Sequence, residues 1–215
     1  MSDTGKANCE AKQMDKRKRE VILHSYDPRW RTEFEEEKNV LLEMLGEKHL
    51  YPEILHIGCT SIEDTVAKAI IDMLILLPTD EEVRAAVNVM IQVGYTFLGD
   101  GGRVGRYFFS NDESIFPYYL HVTTRENQVA KDQLTFQKIL QSNKEIMWNY
   151  MALKEIAAEQ FPYDRFKYRT AKGHFIEGVL RAYEYGLSLG GKSDPNETSR
   201  TEADNTTENG QENNQ

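Results

Sequence analysis

Cysteine is scarce: only Cys9 and Cys59 occur in 215 residues. Two thiols provide neither a disulfide framework nor a zinc-ligand set. No apolar run approaches the roughly 20 residues that a membrane-spanning helix needs. The opening residues, MSDTGKANCEAKQMDKRKRE, lack the apolar stretch of a secretion signal. A basic surplus is missing too, because 26 Lys and Arg face 35 Asp and Glu for a formal net charge of −9. Phosphate backbones are held by basic surfaces, so nucleic acid is not the expected partner. No repeat of fixed period is visible. These absences leave a cytoplasmic chain with no membrane partner and one folded domain as the expectation.

The two ends differ from the middle. Residues 1–20 carry six basic and four acidic groups and almost nothing apolar. The run Lys16 to Arg19 reads as a nuclear address, as a nucleic-acid patch or as a solvated lead-in to the first strand. Residues 191–215 hold two basic and six acidic groups and have no aliphatic residue beyond Ala203. Such a segment cannot offset its own ordering entropy, so a disordered acidic, Asn-rich tail is expected. Two glycosylation patterns there, at Asn196 and Asn205, are read as chance without a secretion signal. Residues 21–190 remain as the folded domain.

Within it, Val21 to Tyr26 reads as a short strand. Asp27-Pro28 reads as a helix start, with Asp27 accepting from free N–H groups and Pro28 at the first helical position. Trp30, Phe34, Leu41, Leu42 and Leu45 carry that helix to Gly46. Tyr51 to Gly58 is a second strand. Ile70 to Pro78 is nearly all apolar and reads as a strand buried on both faces. Asp80 to Val93 is helical, with Val83, Val87, Met90 and Ile91 on one side and Gly94 ending it. Three short strands follow, in YTFLG, RVGRYFFS and YYLHVTT. From Gln128 the spacing turns helical through three segments. Leu134, Phe136, Ile139 and Leu140 mark the first, and Ile146, Tyr150, Leu153, Ile156 and Ala157 the second. Phe175, Ile176, Val179, Leu180 and Tyr183 mark the third. Mixed elements followed by helices alone point to α+β or α/β.

Chemistry concentrates in Ile57-Gly58-Cys59-Thr60-Ser61, then Lys68, then Ile71-Asp72-Met73. A glycine followed by hydroxyl residues at a strand end lets the backbone approach a phosphate, to which N–H and O–H groups donate. Lys68 could add a positive charge. Asp72 is the one acid between Ile70 and Leu77, and an unpaired carboxylate on a buried strand is costly. It should therefore face an open edge, a metal or a cation, or else pair with an arginine or a backbone amide. Arg106, Lys154 and Lys172 could contact phosphates or be plain surface. His24, His49, His56 and His174 lack metal-ligand spacing, and His56 reads as a structural histidine. Cys59 has no sequence-local His and Asp to make it a nucleophile. Gly101 to Gly105 reads as a hairpin turn. The aromatics Phe108, Phe109, Phe116, Tyr118 and Tyr119 read as core or pocket wall.

His56-Ile57-Gly58-Cys59-Thr60-Ser61 followed by Ala67-Lys68-Ala69-Ile70-Ile71-Asp72 resembles the signature of the GrpB (UPF0157) family, approximately H-I-G-S-T-S/A-V-P-G-L-x-A-K-P-I-I-D-I. Tyr26-Asp27-Pro28-Arg29-Trp30 is similar to the family's Y-D-P-x-W opening. Gly94-Tyr95, Arg106-Tyr107-Phe108 and Leu120-His121-Val122 continue the likeness. So do Leu134-Thr135-Phe136 with Leu140, Tyr150 to Lys154, and Tyr168, Lys172, Phe175 and Ile176. Together they span residues 21–186.

That resemblance implies the nucleotidyltransferase superfamily and an α+β fold, a mixed β-sheet flanked by helices with a C-terminal helical layer. It further implies transfer of a nucleotidyl group from an NTP to an acceptor, here a small molecule given the acidic core. Gly58, Cys59, Thr60 and Ser61 would hold the triphosphate, and Asp72 would bind Mg²⁺. Lys68 and Arg106 would stabilise phosphate charge, with Lys154 and Lys172 as further contacts. His121 would act as ligand or base.

The sequence departs from the family pattern at Cys59, at Ala69, at Ile62 to Thr65, at Tyr119 and at Gln137-Lys138. Leu74 stands where an Asp-x-Asp pair would place its second acid, so one Mg²⁺ or none is expected. Glu63 and Asp64 could lean in from the loop. The alternative expectation is a catalytically degenerate nucleotide-binding or protein-interaction module of the same fold.

Overall fold

A computed structural model describes residues 20–189. The expected polar lead-in and acidic tail lie outside the described residues. The central sheet has five strands in the order β2-β4-β7-β6-β5. They are β2 (Glu53–Ile57), β4 (Ile71–Leu77), β5 (Thr96–Phe97), β6 (Tyr107–Asn111) and β7 (Tyr118–Thr124). β4 pairs antiparallel with β2 and parallel with β7, and β7 and β5 are antiparallel to β6. The sheet is therefore mixed, and the fold is α+β.

β4 is an interior strand, and every residue from Met73 to Leu77 is buried. A strand with neighbours on both edges and helices on both faces has no solvated side, so its sequence is apolar throughout. Burying each such side chain stabilises by about 1.5–3 kcal/mol. Asp72 interrupts this run and is only half-buried.

α1 (Arg29–Gly46) and α2 (Asp80–Gln92) cover one face. Trp30, Phe34, Leu41 and Leu45 of α1 meet Met73, Ile75, Phe109 and Leu120 in the largest core cluster. Asp27 Oδ1 accepts from the Arg29 N–H at 2.9 Å, so Asp27 does satisfy the helix start, with Pro28 as the residue before the helix. α2 begins with a capping box: the Glu82 N–H donates to Thr79 Oγ1 at 3.2 Å, and the Thr79 N–H donates to Glu82 Oε2 at 3.1 Å. Thr79→Ala should lower the unfolding free energy by about 1 kcal/mol, and Thr79→Asp should restore most of it. Urea unfolding curves read both. The buried side of α2 is Val83, Ala86, Val89 and Met90, while Ile91 is exposed. Val83 and Met90 thus lie on the expected side, with Ala86 and Val89 buried beside them in place of Val87 and Ile91.

α3 (Gln128–Ser142) covers part of the other face, where Ala130 and Leu134 pack on Ile57, Leu74 and Leu76. α4 (Lys144–Gln160) and α5 (Arg165–Leu189) stack outside α3 around Phe136, Leu140, Met147 and Tyr150. Contrary to the sequence pattern, Ile156 of α4 is exposed and Lys154 is buried.

The first strand, β1, is only His24–Ser25 and pairs with β3 (Val66–Ala67) in a separate two-stranded sheet. The rest of the expected strand is held elsewhere. The Val21 N–H donates to Pro162 O at 2.7 Å, and Val21 packs with Ala157 and Tyr168. No helix among the described residues is long and apolar enough to cross a membrane.

Candidate functional site

Pairing register brings the pieces together. Asp72 lies opposite Ile57 on one side and Tyr119 on the other, and His121 lies opposite Leu74. Residues two apart share a face, so Asp72, Tyr119 and His121 project from the α3 side of the sheet. α3 buries Leu74 and Leu76 there but leaves the Asp72 end uncovered. The Asp72 side chain keeps 34% of its exposure and that of His121 keeps 10%.

Immediately after β2, Gly58 has φ 75° and ψ −175°, a conformation essentially confined to glycine. It lies directly against the carboxylate, since a β-carbon at this position would sit 3.1 Å from Asp72 Oδ2. A short 3₁₀ turn, Cys59–Ser61, follows. Its hydroxyls hold the turn itself together. Ser61 Oγ donates to Gly58 O at 2.6 Å, and Thr60 Oγ1 donates to Ile70 O at 3.3 Å and contacts His56 Nε2 at 3.0 Å. The hydroxyl donors expected to meet phosphate are thus already engaged, because each hydroxyl has a single proton.

His121 is placed by its neighbours. Arg106 Nη1 lies 3.1 Å and Gln133 Nε2 3.2 Å from its Nδ1. Arginine only donates, so Nδ1 accepts and the proton sits on Nε2. That N–H faces Asp72 Oδ1 at 3.5 Å. In this arrangement His121 donates through Nε2 toward Asp72. Burial pushes its pKa down, against the pull of Asp72. Arg106 is itself fixed: its Nε and Nη2 donate to Asp100 O at 3.2 and 2.9 Å. Gly101, with φ 58°, belongs to the expected hairpin turn, and a β-carbon there would collide with the Arg106 guanidinium. Burial and nearby Arg103 lower the Arg106 pKa to about 10.

Lys68 is half-buried and sits between β3 and β4. Its pKa is pushed down to about 7, first by desolvation and then by Lys172, Arg165 and Arg169, with Asp72 opposing. Lys172 is also lowered by burial. The ammonium groups of Lys68 and Lys172 lie 5.9 and 5.0 Å from the centre of the Tyr168 ring. Lys154, expected as a phosphate contact or a surface base, lies beneath the turn at 2% exposure. Its Nζ donates to Cys59 Sγ at 3.0 Å and to Val66 O. Glu63 and Asp64 are both exposed. Among the described residues no three His, Cys, Asp or Glu come together as metal ligands. A divalent ion here would take one protein carboxylate, Asp72, and the rest of its shell from phosphate and water, as Mg²⁺ sites often do. A two-metal site does not fit.

The structure thus gathers Gly58, Asp72, His121, Lys68, Arg106 and Lys172 around one spot. Sequence reasoning missed Arg165, Arg169 and Gln133. The two arginines fall with Lys172 at i, i+4 and i+7 on α5, a helix-face spacing that was readable.

A cavity of about 180 Å³ opens at the same turn, with Thr60, Ser61, His56, Phe34 and Gln137 in its wall. Asp72 is not part of that wall. His56 stacks on Phe34 with ring centres 4.7 Å apart, as a structural histidine would. Burial lowers its pKa to about 4. The unfolded value is the higher one, so the neutral form's contribution is fully present above about pH 6.5 and fades toward about pH 4, by at most about 3 kcal/mol. His56→Gln should flatten that part of the stability–pH curve, as followed by urea unfolding.

Comparison with known proteins places this geometry in context. The family described as GrpB protein matches residues 20–182. The UPF0157 protein YqkA of Bacillus subtilis is 34% identical over 165 residues, 75% of this chain and 46% of that protein, so the chain spans about half of YqkA. The glutamate-rich protein GrpB of Alkalihalophilus pseudofirmus is 29% identical over 168 residues, 76% of this chain and 95% of that one. The crystal structure of the conserved protein GrpB from Enterococcus faecalis superposes with a TM-score of 0.64 at 28% identity, over 75% of this chain and 99% of that one. A cytoplasmic RNA terminal U-transferase gives a TM-score of 0.39 at 13% identity, too slight a likeness to carry chemistry across. With the family match covering most of the sequence and a solved GrpB structure sharing the architecture, the chain belongs to the GrpB family.

Proposed function

We propose that the site around Asp72 binds a nucleoside triphosphate and transfers its nucleotidyl group to a hydroxyl or amine of a small-molecule acceptor, which gives up a proton as pyrophosphate leaves. The observation that carries the reading is the meeting of one half-exposed carboxylate with Gly58, Lys68, Arg106 and Lys172, drawn from separate parts of the chain. Gly58 lets the Asp72 carboxylate sit directly against the turn after β2. The cations neutralise phosphate charge as it develops, and their low-dielectric setting strengthens that effect. His121 holds Asp72 in one orientation. Asp72 would hold Mg²⁺ together with the phosphate oxygens, and the ion would add charge neutralisation at the α-phosphate.

The test is incubation with NTPs labelled on the α-phosphate, Mg²⁺ and a metabolite extract. The reading expects label in a new small product. Label found only as NTP or its hydrolysis products would overturn it.

A second reading is a nucleotide-binding module of the same fold that lacks turnover. Buried Leu74 at the second acid position, and the engaged hydroxyls of Thr60 and Ser61, favour it. It expects NTP binding with no transferred label.

A further inference from the structure

One face of α5 turns toward the site with Arg165, Arg169 and Lys172 at i, i+4 and i+7. Their charges reach Lys68, and that of Arg169 also reaches Arg106. Arg165 bonds Tyr119, the strand partner of Asp72. Its Nε is buried and has no hydrogen-bond partner among the described residues. Tyr168, buried within the same turn of α5, has the ammonium groups of Lys68 and Lys172 near its ring. The carboxylate common to this group is that of Asp72, with Asp112 toward Tyr119, and Asp100 acts on Arg106 through both its charge and its backbone oxygen. Packed cations repel one another, and the repulsion grows as water is excluded. Five bases against the three acids Asp72, Asp100 and Asp112 leave a positive surplus, which a ligand of several negative charges matches.

We propose that Arg165, Arg169 and Lys172 of α5, with Lys68 and Arg106, form a cradle for a phosphate chain of triphosphate length. The proposal rests on the phosphate-binding half of the reading above and is independent of turnover. It gives α5 a specificity role, because a single phosphate carries too little charge to engage both the helix stripe and Arg106. Burial first, and then Lys172, Arg165 and Arg169 with Asp72 opposing, disfavour the Lys68 ammonium beside Tyr168 in the empty site, and an arriving phosphate favours it. Binding therefore draws a proton from solution at about pH 8.

The full chain is titrated calorimetrically with tripolyphosphate, ATP and orthophosphate in EDTA. Repeating each titration at about pH 8 in buffers of different ionisation enthalpy counts the protons taken up. Tripolyphosphate and ATP should bind at least about tenfold more tightly than orthophosphate. Arg169→Gln, an exposed position that does not threaten the fold, should weaken both by about tenfold, and Arg165→Gln should do the same. Arg181→Gln, exposed beyond the stripe on the same helix, should leave them unchanged. Proton uptake should vanish in Lys68→Met. Equal affinity for tripolyphosphate and orthophosphate, or an Arg169→Gln protein that binds like the wild type, overturns the cradle. Tripolyphosphate has no nucleotidyl group, so its binding without label transfer from NTP would overturn the enzyme reading and leave the cradle standing.

Discussion

Lys154→Ala should lower the unfolding free energy by about 2–5 kcal/mol, the range for emptying a large buried side chain. The side chain is 2% exposed and fills the space between α4 and the turn at Cys59. Truncation removes its packing against Tyr150, whose ring centre lies 5.1 Å from Nζ. It also strips Val66 O of a charged donor, and an orphaned buried carbonyl costs about 1–3 kcal/mol. Lys154→Met separates the two losses. Methionine keeps most of the volume, so only the unpaired carbonyl should remain, at about 1–3 kcal/mol, and part of that is offset by removing a buried charge. Urea unfolding of the two variants decides it. Equal and small losses would mean that the ammonium and its stem carry no structural burden.

Gly58→Ala is the second large effect, and it acts on the site. The backbone at φ 75° and ψ −175° costs a non-glycine residue about 1–3 kcal/mol. The new β-carbon must also share space with Asp72 Oδ2 at 3.1 Å. The turn can relieve this only by moving away from β4 or by swinging the carboxylate. Either change separates Asp72 from His121, which holds it at 3.5 Å. Nucleotide affinity should fall by at least about tenfold while the core, measured by the unfolding slope in urea, stays intact. A Gly58→Ala protein with wild-type affinity would show that close approach at this turn is not part of binding.

Much of this site was legible because its signals are local. An acid alone in an apolar strand must face something polar, and Asp72 does. A glycine at a strand end before small residues marks a close approach, and Gly58 makes one against that same acid. The hairpin at Gly101 to Gly105, with positive φ at Gly101, Gly102 and Gly105, follows an equally local rule. The misreadings came from contacts distant in sequence. Lys154 reads as surface because lysines avoid cores, yet Val66 O and Cys59 Sγ, nearly a hundred residues away in the chain, satisfy it inside. The hydroxyls of Thr60 and Ser61 read as free donors, whereas the fold turns them onto Ile70 O and Gly58 O. Arg165 and Arg169 are ordinary helix bases until the topology brings α5 against the Asp72 end of the sheet.

The central claim is that the carboxylate of Asp72 takes part in receiving a cation-bound triphosphate. Calorimetric titration of Mg²⁺-NTP into the wild type and into Asp72→Asn tests it most directly, since the amide keeps the shape and removes the charge. The account predicts that Asn weakens Mg²⁺-NTP binding by at least about tenfold and leaves metal-free tripolyphosphate binding unchanged or tighter. Equal affinity of the two proteins for Mg²⁺-NTP would contradict it.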